Sequence, residues 1–399
     1  MNAARLYLIS YYFAPLGRAD GVNRALMVKN LSRLGWKIDV LSCSNPHAFL
    51  RSFQQDPTLL GLIPEDVKVH RVPSKYWGPV GQLAYLAGIV PDPFLNWRRP
   101  ALGHAIASFH EPGIVYAIVP PTVNLLVASA LAEERGWPLV IDFRDNVRGI
   151  PSRALGRVAG MVASTKRSLD EMSSMYCIDA PGTVFYNGSP GPACDHPARS
   201  IGDRFRIVYT GLMGMETDPA MLLDTLDDLE DEEPALASTI DLDFIGPRNY
   251  YTRIFLERRL GGRRRFMGYL PYAEAHREMS ESDACFVSIR GSKKSYCIPS
   301  KIFQYMSTGA PVLAFGPEGE MGEFIEKQGI GLFADCCDRK ARVRALAMMA
   351  GDRELLADMR KASADAAARF SLEVQTQNLD LFLRAIPNRD DRRPENGTR

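Results

Sequence analysis

No stretch of this sequence is long and apolar enough to span a bilayer. The longest clean apolar run, Val123 to Ala132, is interrupted by Asn124 and Ser129 and falls far short of the roughly 20 residues a spanning helix requires. Charge of one sign is lacking too: 48 lysines and arginines face 47 aspartates and glutamates, so no global field draws the chain to nucleic acid or anionic lipid. The seven cysteines are odd in number and form no C-x-x-C; only Cys336 and Cys337 adjoin, and adjacent residues rarely bridge each other, which reads as reduced thiols. None of the six histidines has a zinc-type partner, since His276 has Glu278 near it but no second ligand one helical turn away. G-x-G-x-x-G, G-x-x-x-x-G-K-[ST] and G-x-S-x-G are all missing, which excludes the dinucleotide fingerprint, the P-loop and the hydrolase elbow. The first residues run straight into the strand-like Arg5–Tyr12 without the order of a signal peptide. Together these absences predict a cytoplasmic protein with no metal, no cofactor and no nucleic-acid partner.

What is there is the text of a large α/β protein. A chain of 399 residues with 46% hydrophobic and 24% charged positions exceeds one ordinary core, so two domains are expected. In the first half, short apolar runs at 6–12, 37–43, 67–72, 114–119 and 139–143 alternate with segments of helical period, which means a parallel sheet. The helix after the first run carries Val22, Ala25, Leu26, Leu31 and Leu34 on one stripe and stops at Gly35. A cluster of breakers, Ser189-Pro-Gly-Pro-Ala-Cys-Asp-His-Pro197, reads as a linker. The alternation then restarts with runs at 206–210, 240–245, 265–268, 284–289, 311–315 and 331–334. The expected division is a Rossmann-like domain over 1–195, a second over 196–360, a helix over 361–386 headed by Ser371, and a polar tail over 387–399.

Three places carry chemistry. The turn Phe13-Ala-Pro-Leu-Gly17-Arg-Ala-Asp-Gly21 lies between a strand and a helix, where glycine lets backbone N–H groups approach an anion and the helix N-terminus favours one; a purely structural glycine turn fits the same letters. Asp142-Phe-Arg144-Asp145 ends a strand, the position where open α/β sheets bind ligands, although an arginine between two aspartates also satisfies itself as an internal salt bridge. The third is Pro299-Ser300-Lys301-Ile-Phe-Gln304-Tyr305 running to Gly309-Ala-Pro311, a short helix with Ser300 as its expected cap. Lys301 then stands in the first turn, where the macrodipole disfavours a cation unless an anion is bound beside it; a solvated lysine is the bland alternative. The arginines at 258, 259, 263, 264 and 265 crowd a Gly-Gly turn as an anion patch or, more simply, as a solvated loop.

These pieces in this order resemble the family 4 glycosyltransferases of the GT-B fold, particularly the bacterial subgroup acting on cell-surface polysaccharides. The resemblance is carried by Tyr12-Phe13-Ala-Pro-Leu-Gly17, Gly35-Trp36, Val119-Pro120-Pro121, Asp142 to Asp145, Asn187-Gly188, Tyr209-Thr210-Gly211, Phe244-Ile245-Gly246, Gly268-Tyr269-Leu270-Pro271 and the Pro299–Val312 segment. It implies two Rossmann-like domains facing across a cleft and a retaining transfer from a nucleotide-sugar. The nucleotide would sit on the C-terminal domain and a sugar or lipid-linked sugar acceptor on the N-terminal one. Gly17 and Gly21 would approach the diphosphate, Gly268, Tyr269 and Leu270 would border the base, and Ser300 and Lys301 would hold the phosphates. Gly211 and Gly246 belong to the same donor set. Lys301 would steady the leaving diphosphate, and Asp142 or Asp145 would orient or deprotonate the acceptor.

The chain departs from the family pattern where two glutamates eight residues apart are usual: Tyr296 and Gln304 stand there. The usual Arg and Lys after Tyr-Thr-Gly are also missing from Gly211-Leu-Met-Gly-Met-Glu216. An epimerase on the same double fold, or a binding protein without turnover, remain rival readings. The stretch Trp77–Arg99 mixes aromatic and apolar residues with Arg98 and Arg99, which suits peripheral contact with the inner membrane face, or else an ordinary core helix and loop.

Overall fold

The computed structural model describes residues 4–16, 19–46, 55–75, 80, 83–85, 87–90, 92–190, 204–291 and 294–387. The chain divides into two compact units, one formed by Met1–Tyr186 with Glu373–Arg399 and the other by Asn187–Leu372. The breaker cluster at 191–197 and the polar tail from 388 lie outside the described residues, as does Gly17.

The first unit is built on seven parallel strands: β1 (Arg5–Ile9), β2 (Lys37–Cys43), β3 (Lys68–Val72), β4 (Ile114–Val119), β5 (Leu139–Phe143), β6 (Val158–Ala163) and β7 (Gly182–Val184). Their order is β3-β2-β1-β4-β5-β6-β7. β4 and β5 are buried along their whole length, because helices such as Thr122–Arg135, with Val123, Val127 and Leu131, cover the sheet. The first strand ends at Ile9 rather than Tyr12. There the chain turns, and the Tyr11 N–H donates to Asn124 Oδ1 (2.9 Å), whose Nδ2 donates to the Ile118 carbonyl (2.7 Å).

β6 and β7 escape a reading by apolar runs, since both are short and interrupted by glycine. Gly160 has a reason to be there: a β-carbon on it would come within 2.7 Å of Ile386 Cδ1 and 2.8 Å of Phe382 Cζ. The last helix, Leu372–Arg384, therefore lies against the first unit, where Asp380 also accepts from Trp36 Nε1 (2.6 Å) and Arg384 donates to the Leu34 carbonyl (2.9 Å).

The second unit has six parallel strands: β8 (Phe205–Thr210), β9 (Ile240–Ile245), β10 (Arg264–Gly268), β11 (Ala284–Ser288), β12 (Val312–Gly316) and β13 (Gly331–Asp335). The order is β10-β9-β8-β11-β12-β13, so the strand order reverses between β8 and β11. That reversal is the switch point at whose carboxyl edge such sheets open a crevice. Helices with strong apolar faces cover the sheet; Ala220–Glu232 buries Met221, Leu222, Leu226 and Leu229. Its acidic face engages the arginine crowd: Arg259 pairs with Asp224 (2.5 Å) and Asp227 (2.7 Å), and Arg264 with Asp227 (2.7 Å) and Glu230 (3.0 Å). With Arg265 on Asp243 (2.6 Å), that turn is charge-compensated rather than a free anion patch. Among the described residues no helix is long and apolar enough to cross a membrane.

Candidate donor site at the switch point of the second unit

Three of the expected glycines end up side by side because three adjacent strands end together. The Gly211 N–H after β8 donates to the Ile245 carbonyl (2.8 Å), and the Gly246 N–H after β9 donates to the Gly268 carbonyl of β10 (2.8 Å). A β-carbon on Gly246 would stand 2.2 Å from the Gly211 carbonyl oxygen, so only glycine lets these backbones approach. Gly211 and Gly268 adopt positive φ, 103° and 75°, and a register shift between Phe266 and Gly268 ends β10. Tyr269 and Leu270 follow directly and are half-buried.

The helix Ser300–Met306 arrives at the same edge from β11. Ser300 is its first residue and does not cap it: Pro299 holds the N-cap position, with no side-chain hydrogen bond there. What fixes the helix is Tyr305, buried, whose hydroxyl donates to the Phe286 carbonyl of β11 (2.9 Å) and accepts from the Thr210 N–H of β8 (3.3 Å). Lys301, four residues earlier, lies on the same helix face and so meets the same strand end.

There the Lys301 ammonium nitrogen sits 3.7 Å from the ring centroid of Tyr209 and against Gly211. The stem keeps some exposure, but the nitrogen is buried and has no hydrogen-bond partner. Burial pushes its pKa well below the ordinary lysine value. An amine so placed is costly to leave unmade, and the aromatic face of Tyr209 compensates it in part. Tyr209 is itself held by its hydroxyl, which donates to the Leu212 carbonyl (2.8 Å). Gln304 lies one turn along from Lys301, half-buried.

Arg290, just past β11, donates its backbone N–H to the Glu216 carbonyl (2.7 Å), and its guanidinium pairs with Asp218 (2.7 Å) on the loop that follows Gly211. Tyr251 donates to the other oxygen of Asp218, and Ser288 Oγ donates to the Thr217 carbonyl (2.6 Å). Tyr209 was named only as part of the Tyr209-Thr210-Gly211 resemblance, and Arg290 was not singled out by sequence. Nothing in the spacing of Ile289-Arg290-Gly291 marks it, because its partner lies 72 positions earlier.

The expected residues of the first unit fare differently. Asp142 has no exposed surface: Oδ2 accepts from Tyr116 Oη (2.8 Å) and from Arg144 Nε (2.9 Å) and Nη2 (2.6 Å). Arg144 also donates to the Phe185 carbonyl (2.9 Å) and covers the Phe185 ring at 4.5 Å. Burial works to discharge this guanidinium, but the Asp142 carboxylate outweighs it and holds the pKa above its usual value. The geometry is that of an internal salt bridge through Oδ2, while the buried Oδ1 has no hydrogen-bond partner. Asp145, further out, accepts from the Asn146 N–H (3.0 Å) and keeps partial exposure. At Gly21 only glycine fits, because a β-carbon there would meet the Leu16 carbonyl oxygen at 2.1 Å.

No family model matches the sequence, and no curated protein matches it by sequence. Solved structures do. Sucrose-phosphate synthase from Thermosynechococcus elongatus matches with a TM-score of 0.70 at 13% identity over 96% of this chain and 98% of the other. Trehalose-6-phosphate synthase OtsA reaches 0.72 at 10% identity, over 97% and 100%. HepE from Anabaena, in a structure holding UDP-glucose, gives 0.67 at 16%, over 96% and 100%. The chain has the GT-B fold. WaaG, a glycosyltransferase of lipopolysaccharide biosynthesis, shares the GT-B fold with it at a TM-score of 0.66 and 12% identity, over 96% and 100%.

Proposed function

We propose that this protein is a metal-independent, retaining glycosyltransferase that moves a hexosyl group from a nucleotide-diphosphate donor to an acceptor hydroxyl in surface polysaccharide or glycolipid synthesis. The observation that carries the reading is the buried, unpartnered Lys301 ammonium at the switch point of the second unit. A diphosphate would give that nitrogen its missing acceptor and favour its charged form. Preorganised positive charge is what a departing nucleoside diphosphate requires as the sugar becomes oxocarbenium-like. Gly211, Gly246 and Gly268 keep the strand ends free of side chains, so the donor backbone can approach closely. Tyr269 and Leu270 border the base, and Gln304 offers its amide to a ribose hydroxyl. Structures of the same fold that hold UDP-glucose, such as that of HepE, support a nucleotide-sugar as the donor class.

A lipid-linked acceptor is supported by a separate observation on the first unit. Val80, Leu83 and Ile89 are 73%, 63% and 75% exposed, apolar side chains of the kind that enter a membrane interface. Trp97, in contrast, is fully buried and donates to the Val72 carbonyl (3.0 Å), so it belongs to the core and not with those side chains.

A panel of UDP-, GDP-, ADP- and dTDP-sugars tests the donor reading. One of them should raise the unfolding temperature, a ligand at 100 times its Kd adding about 2.7 kcal/mol, and should be turned over to free nucleotide. Stabilisation by none of the panel overturns the donor reading, and an isomerised sugar-nucleotide as product would make the protein an epimerase.

A further inference from the structure

A second cluster of reactive side chains lies where β13 leaves the sheet of the second unit, apart from Lys301. Asp335 ends the strand, and Cys336 and Cys337 follow it before the helix Arg339–Gly351 begins. The two sulfurs are 3.9 Å apart, and one ligand atom from each of the three residues falls within 4.8 Å of the others. That spacing is far too long for a disulfide, whose sulfurs lie about 2.05 Å apart. It fits a shared cation: two thiolates at about 2.3 Å from one tetrahedral Zn2+ stand about 3.8 Å from each other.

The backbone holds the three donors in place. The Cys336 N–H donates to the Gly316 carbonyl of β12 (3.0 Å), which ties the first thiol to the sheet. The Cys337 N–H donates to Asp335 Oδ1 (2.6 Å), which orients the carboxylate and leaves Oδ2 for a ligand. Asp338 turns away to cap the following helix, accepting from the Ala341 N–H (2.9 Å). Arg339, which lines the hollow beside the thiols, is engaged by Asp228 (2.8 Å) and Glu232 (3.7 Å). Cys337 is exposed, and an open hollow lined by Asp335, Cys337, Asp338, Arg339 and Lys340 provides entry.

We propose that Asp335, Cys336 and Cys337 bind one thiophilic divalent cation of the Zn2+ class, with water completing the tetrahedron. Two thiolates select such a metal over Mg2+ or Ca2+, which prefer all-oxygen shells. The expectation of no metal rested on histidine spacing, and this donor set contains no histidine.

The test uses the full chain, reduced and freed of metal by chelation. Zn2+ titrated calorimetrically should bind with one equivalent, and Cd2+ should produce a thiolate-to-metal charge-transfer absorption. Cys337→Ser should weaken Zn2+ by at least about 100-fold and lower the absorption to that of a single thiolate, while Asp335→Asn should cost about 10-fold and keep it. Cys177→Ser, at the other exposed thiol among the described residues, should change neither. Zn2+ should also protect Cys337 of the unaltered chain from alkylation, a readout independent of how any variant folds. Absence of the Cd2+ absorption, or unchanged Zn2+ affinity in a Cys336→Ser, Cys337→Ser variant, or no protection of Cys337, would each overturn the site.

Discussion

A β-carbon on Gly211 would stand 3.0 Å from Cε of Lys301 and 3.4 Å from its ammonium nitrogen. The glycine after β8 and the lysine of the helix after β11 thus share one space, and the first exists in the form that admits the second. Gly211→Ala should cost about 1–3 kcal/mol through its positive φ alone and should also push the lysine aside. Gly309→Ala is the control, because it has positive φ but nothing within 4 Å of an added carbon. Donor titration calorimetry should find affinity lowered in the first variant and kept in the second. Equal donor affinity in both would separate Gly211 from the lysine's role.

Lys301→Met keeps the length of the stem and removes the nitrogen. Donor affinity should fall about 10- to 100-fold, the worth of a charged hydrogen bond. Stability without donor should rise by about 1 kcal/mol, because a buried amine without an acceptor is gone. The sign with pH follows from the depressed pKa. Below the unfolded lysine's value of 10.5 the unfolded chain binds the extra proton, so the parent's stability gains on the variant's as pH rises through that window. Urea unfolding of both proteins between neutral pH and pH 10 reads the difference. A Lys301→Met protein less stable than the parent at neutral pH would mean that the lysine is partnered in solution.

Asp142 separates structure from chemistry. Asp142→Ala leaves Arg144 buried without its carboxylate and should cost about 3–5 kcal/mol, while turnover per folded molecule stays near the parent's. Lost turnover with unchanged stability would return Asp142 to the reaction.

The exposed apolar side chains of the first unit predict a partition between water and lipid. Val80→Ser, Leu83→Ser and Ile89→Ser together should reduce co-sedimentation with anionic vesicles by at least about 100-fold, since burying each of these side chains is worth about 1.5–3 kcal/mol. Identical recovery of parent and variant in the supernatant would point to an acceptor in solution.

Eleven strand positions are legible as apolar runs because a parallel strand covered on both faces has little room for polar residues. β6 is not, since Gly160 reads as a flaw in a strand until Phe382 and Ile386, some 220 residues later, are set against it, and β7 is only three residues long. The site divides in the same way. Lys301 stands out locally, as a cation in a first helical turn, whereas Gly211 and Gly246 are marked only by the family resemblance. The contacts of Tyr209 and Arg290 depend on β8 and β11 lying side by side, and Asp142, with the letters of a cleft carboxylate, has its Oδ2 held by Tyr116 and Arg144.

The packing of Leu372–Arg384 on the first unit has a consequence for synthesis. A ribosome delivers that helix after every residue of the second unit, so the groove over Gly160 waits uncovered while 187–372 emerge and fold. The second unit, contiguous in sequence, can complete itself during translation. The first unit begins earlier and finishes later. In the interval its exposed groove is a surface on which a chaperone or a neighbouring nascent chain would act.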